Sequence, residues 1–376
     1  MNTAGLYLHI PFCLKKCGYC DFYSITQLQQ QNDFVKALIK EMALLSPQYR
    51  HLEFNTIYLG GGTPSLLSPQ QLQTIWQNIQ QYFTVSRQGE FSIEANPGTI
   101  SKEKLSLIQQ IGFNRLSLGA QSFNENDLKF LGRIHSPQDI YDGYDSARQA
   151  GFENINIDLI SAFPGLTHER FKNTLQKAAE LRPEHISCYT LIFEPNTPFY
   201  RRLKQGKLQA LTADEEAAFI EISNQELLPA GYTAYEISNY AIGSDHCCRH
   251  NLIYWEHRPY LGLGPSAHSF ISPRRWKNHR SVTRYLQSLN NDWLPIAQQE
   301  TLSVDDLEFE YIFLHLRLKK GLNLLDFHNR FQANFTEKYR TPLKKLNEAG
   351  LIDVHQRQVK LSGRGWLLAD EVSSFF

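Results

Sequence analysis

The chain has 376 residues, long enough to bury a large core and to divide into one large domain and a smaller one. Lys plus Arg and Asp plus Glu number 38 each, a balance that argues against nucleic acid as the main partner. No apolar run approaches the roughly 18 residues of a membrane span, and no basic start leads into an apolar core, so neither a transmembrane segment nor a secretory signal is expected, and the cytoplasm is.

The first strand is expected over Leu6–Ile10, where Pro11 stops it. Cys13, Cys17 and Cys20 follow on a loop in C-x3-C-x2-C spacing, with Gly18 and Tyr19 between the last two. Chain this short can wrap tightly, and Gly18 tolerates backbone angles that a side chain forbids. Three readings stand. A disulfide leaves one thiol over and calls for an oxidising compartment. A closed zinc site needs a fourth ligand, His9 or Asp21. A [4Fe-4S] cluster held by three thiolates leaves one iron free to bind a small chelating molecule. Of the other cysteines, Cys188 is isolated and reads as a core thiol, while Cys247 and Cys248 are adjacent.

Strand and helix alternate from there to about residue 240. Further strands are expected at Thr56–Leu59, Phe91–Glu94, Arg115–Leu118, Ile155–Leu159, His185–Leu191 and Ala234–Ile237. Helical periodicity marks Phe34–Leu45, Gln71–Tyr82, Lys102–Ile111, Ile140–Ala150 and Phe171–Leu181. Ser68-Pro69 and Ser136-Pro137 each place an N-cap serine before proline at the first helical position. Three glycine–aromatic junctions, at Gly112, Gly151 and Gly231, end helices before strands. About six such units suggest an α/β chain folded as an incomplete barrel; periodicity alone leaves a doubly wound open sheet standing.

Polar residues gather just past these strand ends, on the face where barrel sites form. They are Gly61, Gly62 and Thr63 in a Gly-Gly-Gly-Thr-Pro turn, Glu94, Gln121, Arg133 and Asp158. A carboxylate such as Asp158 in an otherwise apolar strand is costly unless paired. After about residue 290 the rhythm stops. Helices are expected at Val304–Leu318, Leu324–Phe331 and Tyr339–Ala349, then a hairpin (351–354 and 358–362) and a closing helix, Arg364–Glu371. This pattern looks like a winged-helix module, and Lys344, Lys345, Arg357, Lys360 and Arg364 raise DNA binding as a reading. The patch is modest and the rest of the chain is not basic, so no nucleic-acid partner is expected.

The cysteine spacing, with Tyr19 before the last thiol, resembles the signature of the radical S-adenosylmethionine (SAM) superfamily. With the glycine turn and the spaced Glu94, Gln121, Arg133 and Asp158, nearly the whole chain resembles its coproporphyrinogen-dehydrogenase-like (HemN-like) family. That resemblance implies an incomplete (β/α)6 barrel with a small C-terminal α+β winged-helix-like domain covering its open side. It implies a [4Fe-4S] cluster on Cys13, Cys17 and Cys20, and SAM chelated to the free iron. It also implies that Tyr7, Gly61, Gly62, Thr63 and Glu94 line the SAM pocket, with Tyr19, Gln121, Arg133 and Asp158 around the same cavity.

Two departures set the chain apart from the dehydrogenases. Phe22 stands where they have a fourth cysteine, and the first cysteine comes almost at once. A third feature, His250-Asn-Leu-Ile-Tyr254-Trp255, resembles the H-N-x-x-Y-W motif of HemW-type heme chaperones. It implies heme, with an imidazole from His250 and flat apolar faces from Tyr254 and Trp255; His246, Cys247 and Cys248 are rival ligands. The glycine-rich Pro259–Ser269 stretch resembles a loop closing over SAM. The implied partners are heme, a heme-acceptor protein and a one-electron donor such as a flavodoxin or ferredoxin. The competing function is oxygen-independent coproporphyrinogen III oxidase. The expected divisions are a barrel over 1–240, a heme-motif and connecting segment over 241–290, and the C-terminal domain over 291–376.

Overall fold

The computed structural model describes residues 2–376. Six strands lie side by side and parallel: β1 (Asn2–Ile10), β2 (Leu52–Gly61), β3 (Thr84–Ala95), β4 (Arg115–Gln121), β5 (Asn154–Ser161) and β6 (His185–Thr190). The crossovers are α1 (Gln31–Tyr49), α2 (Pro69–Tyr82), α3 (Lys102–Ile111), α4 (Glu125–Leu131) with α5 (Pro137–Gln149), and α6 (His168–Glu180). Strands covered on both faces must be apolar, and Leu6, Leu8, Ile57, Leu59, Ile93, Leu116, Ile157 and Ile186 are all buried. Ser68 and Ser136 start α2 and α5 with complete capping boxes, each followed by proline, as their sequences predict.

Beyond β6, α7 (Pro198–Lys204) and α8 (Ala213–Leu227) lead to two short antiparallel strands, β7 (Thr233–Ala234) and β8 (Asn239–Ala241). α9 (Arg249–Trp255) carries the chain back to the other edge. There β9 (Tyr260–Leu263) lies parallel to β1, and β10 (His268–Ile271), β11 (Arg274–Asn278), α10 (Val282–Asn290) and β12 (Ile296–Thr301) continue, the strands antiparallel. The sheet ends on β12 and β7, which do not pair among the described residues. Cys13, just after β1, and Tyr189, on β6, nevertheless line one cavity, so the sheet is curled into a partial barrel.

Several expectations change. The seventh strand is only Thr233–Ala234, because the chain doubles back through residues 235–238 to pair with β8. Within the stretch expected to close over SAM, Tyr260–Leu263 is β9 and His268–Ser269 opens β10, with a turn over residues 264–267 between them. Residues 260–301 thus extend the barrel's sheet, including much of the segment read as a connection.

The C-terminal part is α11 (Val304–Leu316), β13 (Leu322–Asn323), α12 (Leu324–Phe331), α13 (Phe335–Lys338), α14 (Arg340–Glu348), β14 (Ile352–Val354), β15 (Gln358–Leu361), α15 (Gly363–Leu367) and α16 (Ala369–Ser373). The expected closing helix is two, broken at Leu368, whose φ of -121° is not helical. This part has its own core, built on Ile312, Leu316, Phe327, Phe335, Leu343 and Trp366. It docks on the β7–β8 turn through Lys319 N–H to Tyr235 C=O (2.9 Å) and on α9 through Lys320 Nζ to Glu256 (2.6 Å).

Candidate cluster and cofactor site

The loop after β1 is held by main-chain bonds. Cys13 N–H donates to Ile25 C=O (3.0 Å), Ile25 N–H to Pro11 C=O (2.7 Å) and Thr63 N–H to Phe12 C=O (2.7 Å). At Gly18 a Cβ would stand 2.7 Å from the Phe199 ring, so only glycine lets the loop pass. All six cysteines are free thiols, which removes the disulfide reading. Cys13, Cys17 and Cys20 line one cavity of about 320 Å³ at the C-terminal ends of the strands. Among the described residues no three His, Cys, Asp or Glu side chains are gathered as around a single metal ion. A cubane puts each thiolate on a different iron, so its ligands stand wider apart than those of one zinc ion.

The wall suits an anionic cluster. Thr63 Oγ1 donates toward Cys13 Sγ and Arg133 Nη1 toward Cys17 Sγ, both at 3.7 Å. Arg133 Nη2 donates to Asn96 Oδ1 (2.5 Å) and Gly119 C=O (2.8 Å), and its Nε is buried with no partner. Asn96 Nδ2 in turn donates to Thr63 Oγ1 at 2.8 Å. Sequence reasoning passed over Asn96, which ties the arginine to the threonine. The signal was its place two residues past Glu94 at a strand end.

Glu94 is the pocket's carboxylate. Tyr58 O–H donates to Oε1 (2.9 Å) and Gly61 N–H to Oε2 (3.1 Å). Burial, helped by nearby Asp158, pushes its carboxyl up to about 7. The glycine turn has a packing reason: Gly61 has φ +108°, and a Cβ there would stand 2.5 Å from the His9 ring. The N–H groups of Gly61 and Gly62 are already given to Glu94 and Ile10, which leaves their carbonyls for a ligand. Asp158 is paired, accepting from Ser117 Oγ (2.7 Å) and Asn156 Nδ2 (2.8 Å).

Gln121 and Tyr19 line the same cavity. Gln121 sits where the β4–β5 register shifts, with φ +69°, a left-handed backbone that costs a non-glycine residue energy. Tyr7 does not reach the wall. It stands behind Tyr58, rings stacked at 6.3 Å, and its O–H bonds His9 Nδ1 at 3.0 Å.

The structure places the His250 motif elsewhere. α9 packs inside the barrel under the cavity: Glu90 accepts the N–H groups of Arg249 and His250, each at 3.0 Å. His250 is buried, its Nδ1 bonded to Thr56 Oγ1 (2.8 Å) and its Nε2 to Tyr254 O–H (2.9 Å). Its ring stacks on Tyr58 at 5.2 Å, directly behind Glu94's hydrogen-bond donor. Burial and then Arg115 hold the imidazole down to about 3, so it is neutral. As placed, His250 has no free nitrogen for a metal. Trp255 packs under the Arg317 guanidinium, 5.2 Å from its ring, and leaves its Nε1 buried without a partner.

A curled parallel sheet, three free cysteines after its first strand, and a carboxylate-and-arginine cavity at its strand ends define a radical SAM protein. Residues 7–178 match the Radical SAM superfamily and residues 302–368 the HemN C-terminal domain. The solved coproporphyrinogen III oxidase (HemN) from Escherichia coli, described as a radical SAM enzyme, superposes with a TM-score of 0.87. That match has 25% identity and covers 100% of this chain and 90% of that one. Curated proteins named heme chaperone HemW are similar over nearly the full length. The Bacillus subtilis protein is 35% identical over 372 residues (98% of each chain), and the Escherichia coli one 34% over 328 residues (86% and 85%). The chain belongs to the HemW family. Its radical SAM membership brings a [4Fe-4S] cluster and SAM as cofactors, and the cavity's free thiols, its arginine and its buried carboxylate fit both.

Proposed function

We infer that the chain is a heme chaperone: it binds heme beside a SAM-coordinated [4Fe-4S] cluster and passes heme to an acceptor protein. The observation carrying this is its near-full-length similarity to proteins named heme chaperone HemW. Cys13, Cys17 and Cys20 hold the cluster, which when bound offers one open iron to the amino and carboxylate groups of SAM and a site for one electron. Glu94, held by Tyr58 and Gly61, would accept hydrogen bonds from the ribose hydroxyls of bound SAM. Arg133, fixed by Asn96, donates to Cys17 sulfur and presents positive charge to a carboxylate. Tyr19, Gln121 and Asp158 shape the remaining wall, and Tyr7 supports it through Tyr58. The electron comes from a small carrier of the flavodoxin or ferredoxin type, and the chain works in the cytoplasm. Among the described residues no helix is long and apolar enough to cross a membrane. The working divisions are a barrel whose sheet runs on through β12 at Thr301 and a C-terminal part from α11 onward with its own core.

The second reading, oxygen-independent coproporphyrinogen III oxidase, is favoured by the shared HemN fold. It is disfavoured by Phe22, which stands 65% exposed at the cavity where the dehydrogenase pattern has a fourth cysteine. The test is anaerobic reconstitution, then incubation with SAM, reductant and coproporphyrinogen III, beside hemin titration. Hemin binding without vinyl product is expected; vinyl product overturns the chaperone reading. Cys17→Ala should lose the cluster's visible absorption, and an unchanged spectrum would refute its ligand role.

A further inference from the structure

A second cavity lies away from the cluster, between α9, β9 and β10 on one side and α11 on the other. Its volume is about 400 Å³, and five of its lining residues are aromatic: Tyr254, Tyr260, Phe270, Phe309 and Phe313. Tyr254 and Tyr260 meet edge to face at 4.7 Å, while Phe309 and Phe313 stack at 6.3 Å on α11. Phe309 is 44% exposed, a large ring held in water beside other rings. An aromatic slot at a domain junction with few polar groups is a ligand seat in form. The polar groups are Arg258, Arg275, Glu310 and the buried His257. Arg275 is paired with Glu300 and Glu310, and Arg258 bonds Thr3 Oγ1 (2.5 Å) and sits 3.5 Å from Glu256, so a ligand carboxylate reaches either guanidinium by exchanging with one of these carboxylates.

We propose that this cleft seats heme, its porphyrin ring against the aromatic side chains and its two propionates toward Arg258 and Arg275. The proposal rests on the chaperone reading above and adds where the cargo sits. Two arginines complement two carboxylates, and flat rings complement a flat macrocycle. His250 does not line this cleft, and its nitrogens are bonded to Thr56 and Tyr254. The motif contributes instead through Tyr254, whose O–H bonds His250 while its ring faces the cleft. The same tyrosine connects the two cavities: from it the line runs through His250 and Tyr58 to Glu94. A half-open cleft also suits a cargo that must leave.

The test uses the full chain, anaerobically reconstituted, with hemin followed at its Soret band and metal-free protoporphyrin IX as a competitor. Phe309→Glu replaces an exposed ring of the aromatic wall with an anion that the flat macrocycle would have to cover. Hemin affinity should fall at least tenfold while cluster absorption and SAM binding stay unchanged, and protoporphyrin IX should displace hemin from the wild type. Phe309→Ala repeats the test should the glutamate variant melt early. Unchanged hemin affinity in both variants, or no competition by protoporphyrin IX, overturns the cleft and leaves the chaperone reading standing. Failure of the wild type to bind hemin overturns both.

Discussion

Replacing His250 separates a support role from an iron-ligand role. His250→Ala removes two buried hydrogen bonds, to Thr56 and Tyr254, and the stack on Tyr58. Each bond contributes about 1 kcal/mol, the stack about 1, and a hydroxyl left dry at Thr56 adds about 1–2. The loss in a denaturant titration should be about 4–5 kcal/mol. His250→Gln keeps polar partners and should lose about 1–2 kcal/mol. Because Tyr58 donates to Glu94, its displacement should also weaken SAM binding by about fivefold, or ~1 kcal/mol. The pH dependence has a definite sign. The folded imidazole titrates near 3, so the wild type loses stability as pH falls from the unfolded value of about 6.5 toward 3. The glutamine variant lacks that group, so its deficit should shrink over the same window. Loss of hemin binding in His250→Gln with stability and SAM affinity intact would refute the reasoning, since the ring would then be free for iron.

Two further outcomes follow from buried carboxyls. Glu94 titrates near 7, and SAM carries a cationic sulfonium that favours its ionised form, so SAM affinity should rise as pH rises from 6 to 8. Glu94→Gln should weaken SAM binding, flatten that profile and leave iron content unchanged; a profile as steep as wild type would assign the titration to another group. Glu41 on α1 accepts from Tyr285 O–H (2.6 Å), Gly264 N–H (2.8 Å) and Asn278 Nδ2 (2.6 Å). Glu41→Ala should cost about 3 kcal/mol in denaturant by orphaning those donors, and a loss under 1 would show that β9–β11 and α10 are held by other contacts.

What could be read along the chain was whatever depends on near neighbours. The C-x3-C-x2-C loop, the capped helices and the run of polar residues at strand ends are local, and a parallel strand announces its double burial by composition. The sequence by itself therefore determined a βα repeat with a three-cysteine loop and its site-bearing end. Only the tertiary structure decided which groups complete each other. Thr56 and His250 lie 194 residues apart, Arg133 and Cys17 116, and no periodicity encodes such a meeting. The same holds for Asn96 between Arg133 and Thr63, for β9–β12 extending the sheet, and for the aromatic cleft shared with α11. Long-range register sets these, and whether a nitrogen is open to a metal or already hydrogen-bonded depends on that register alone.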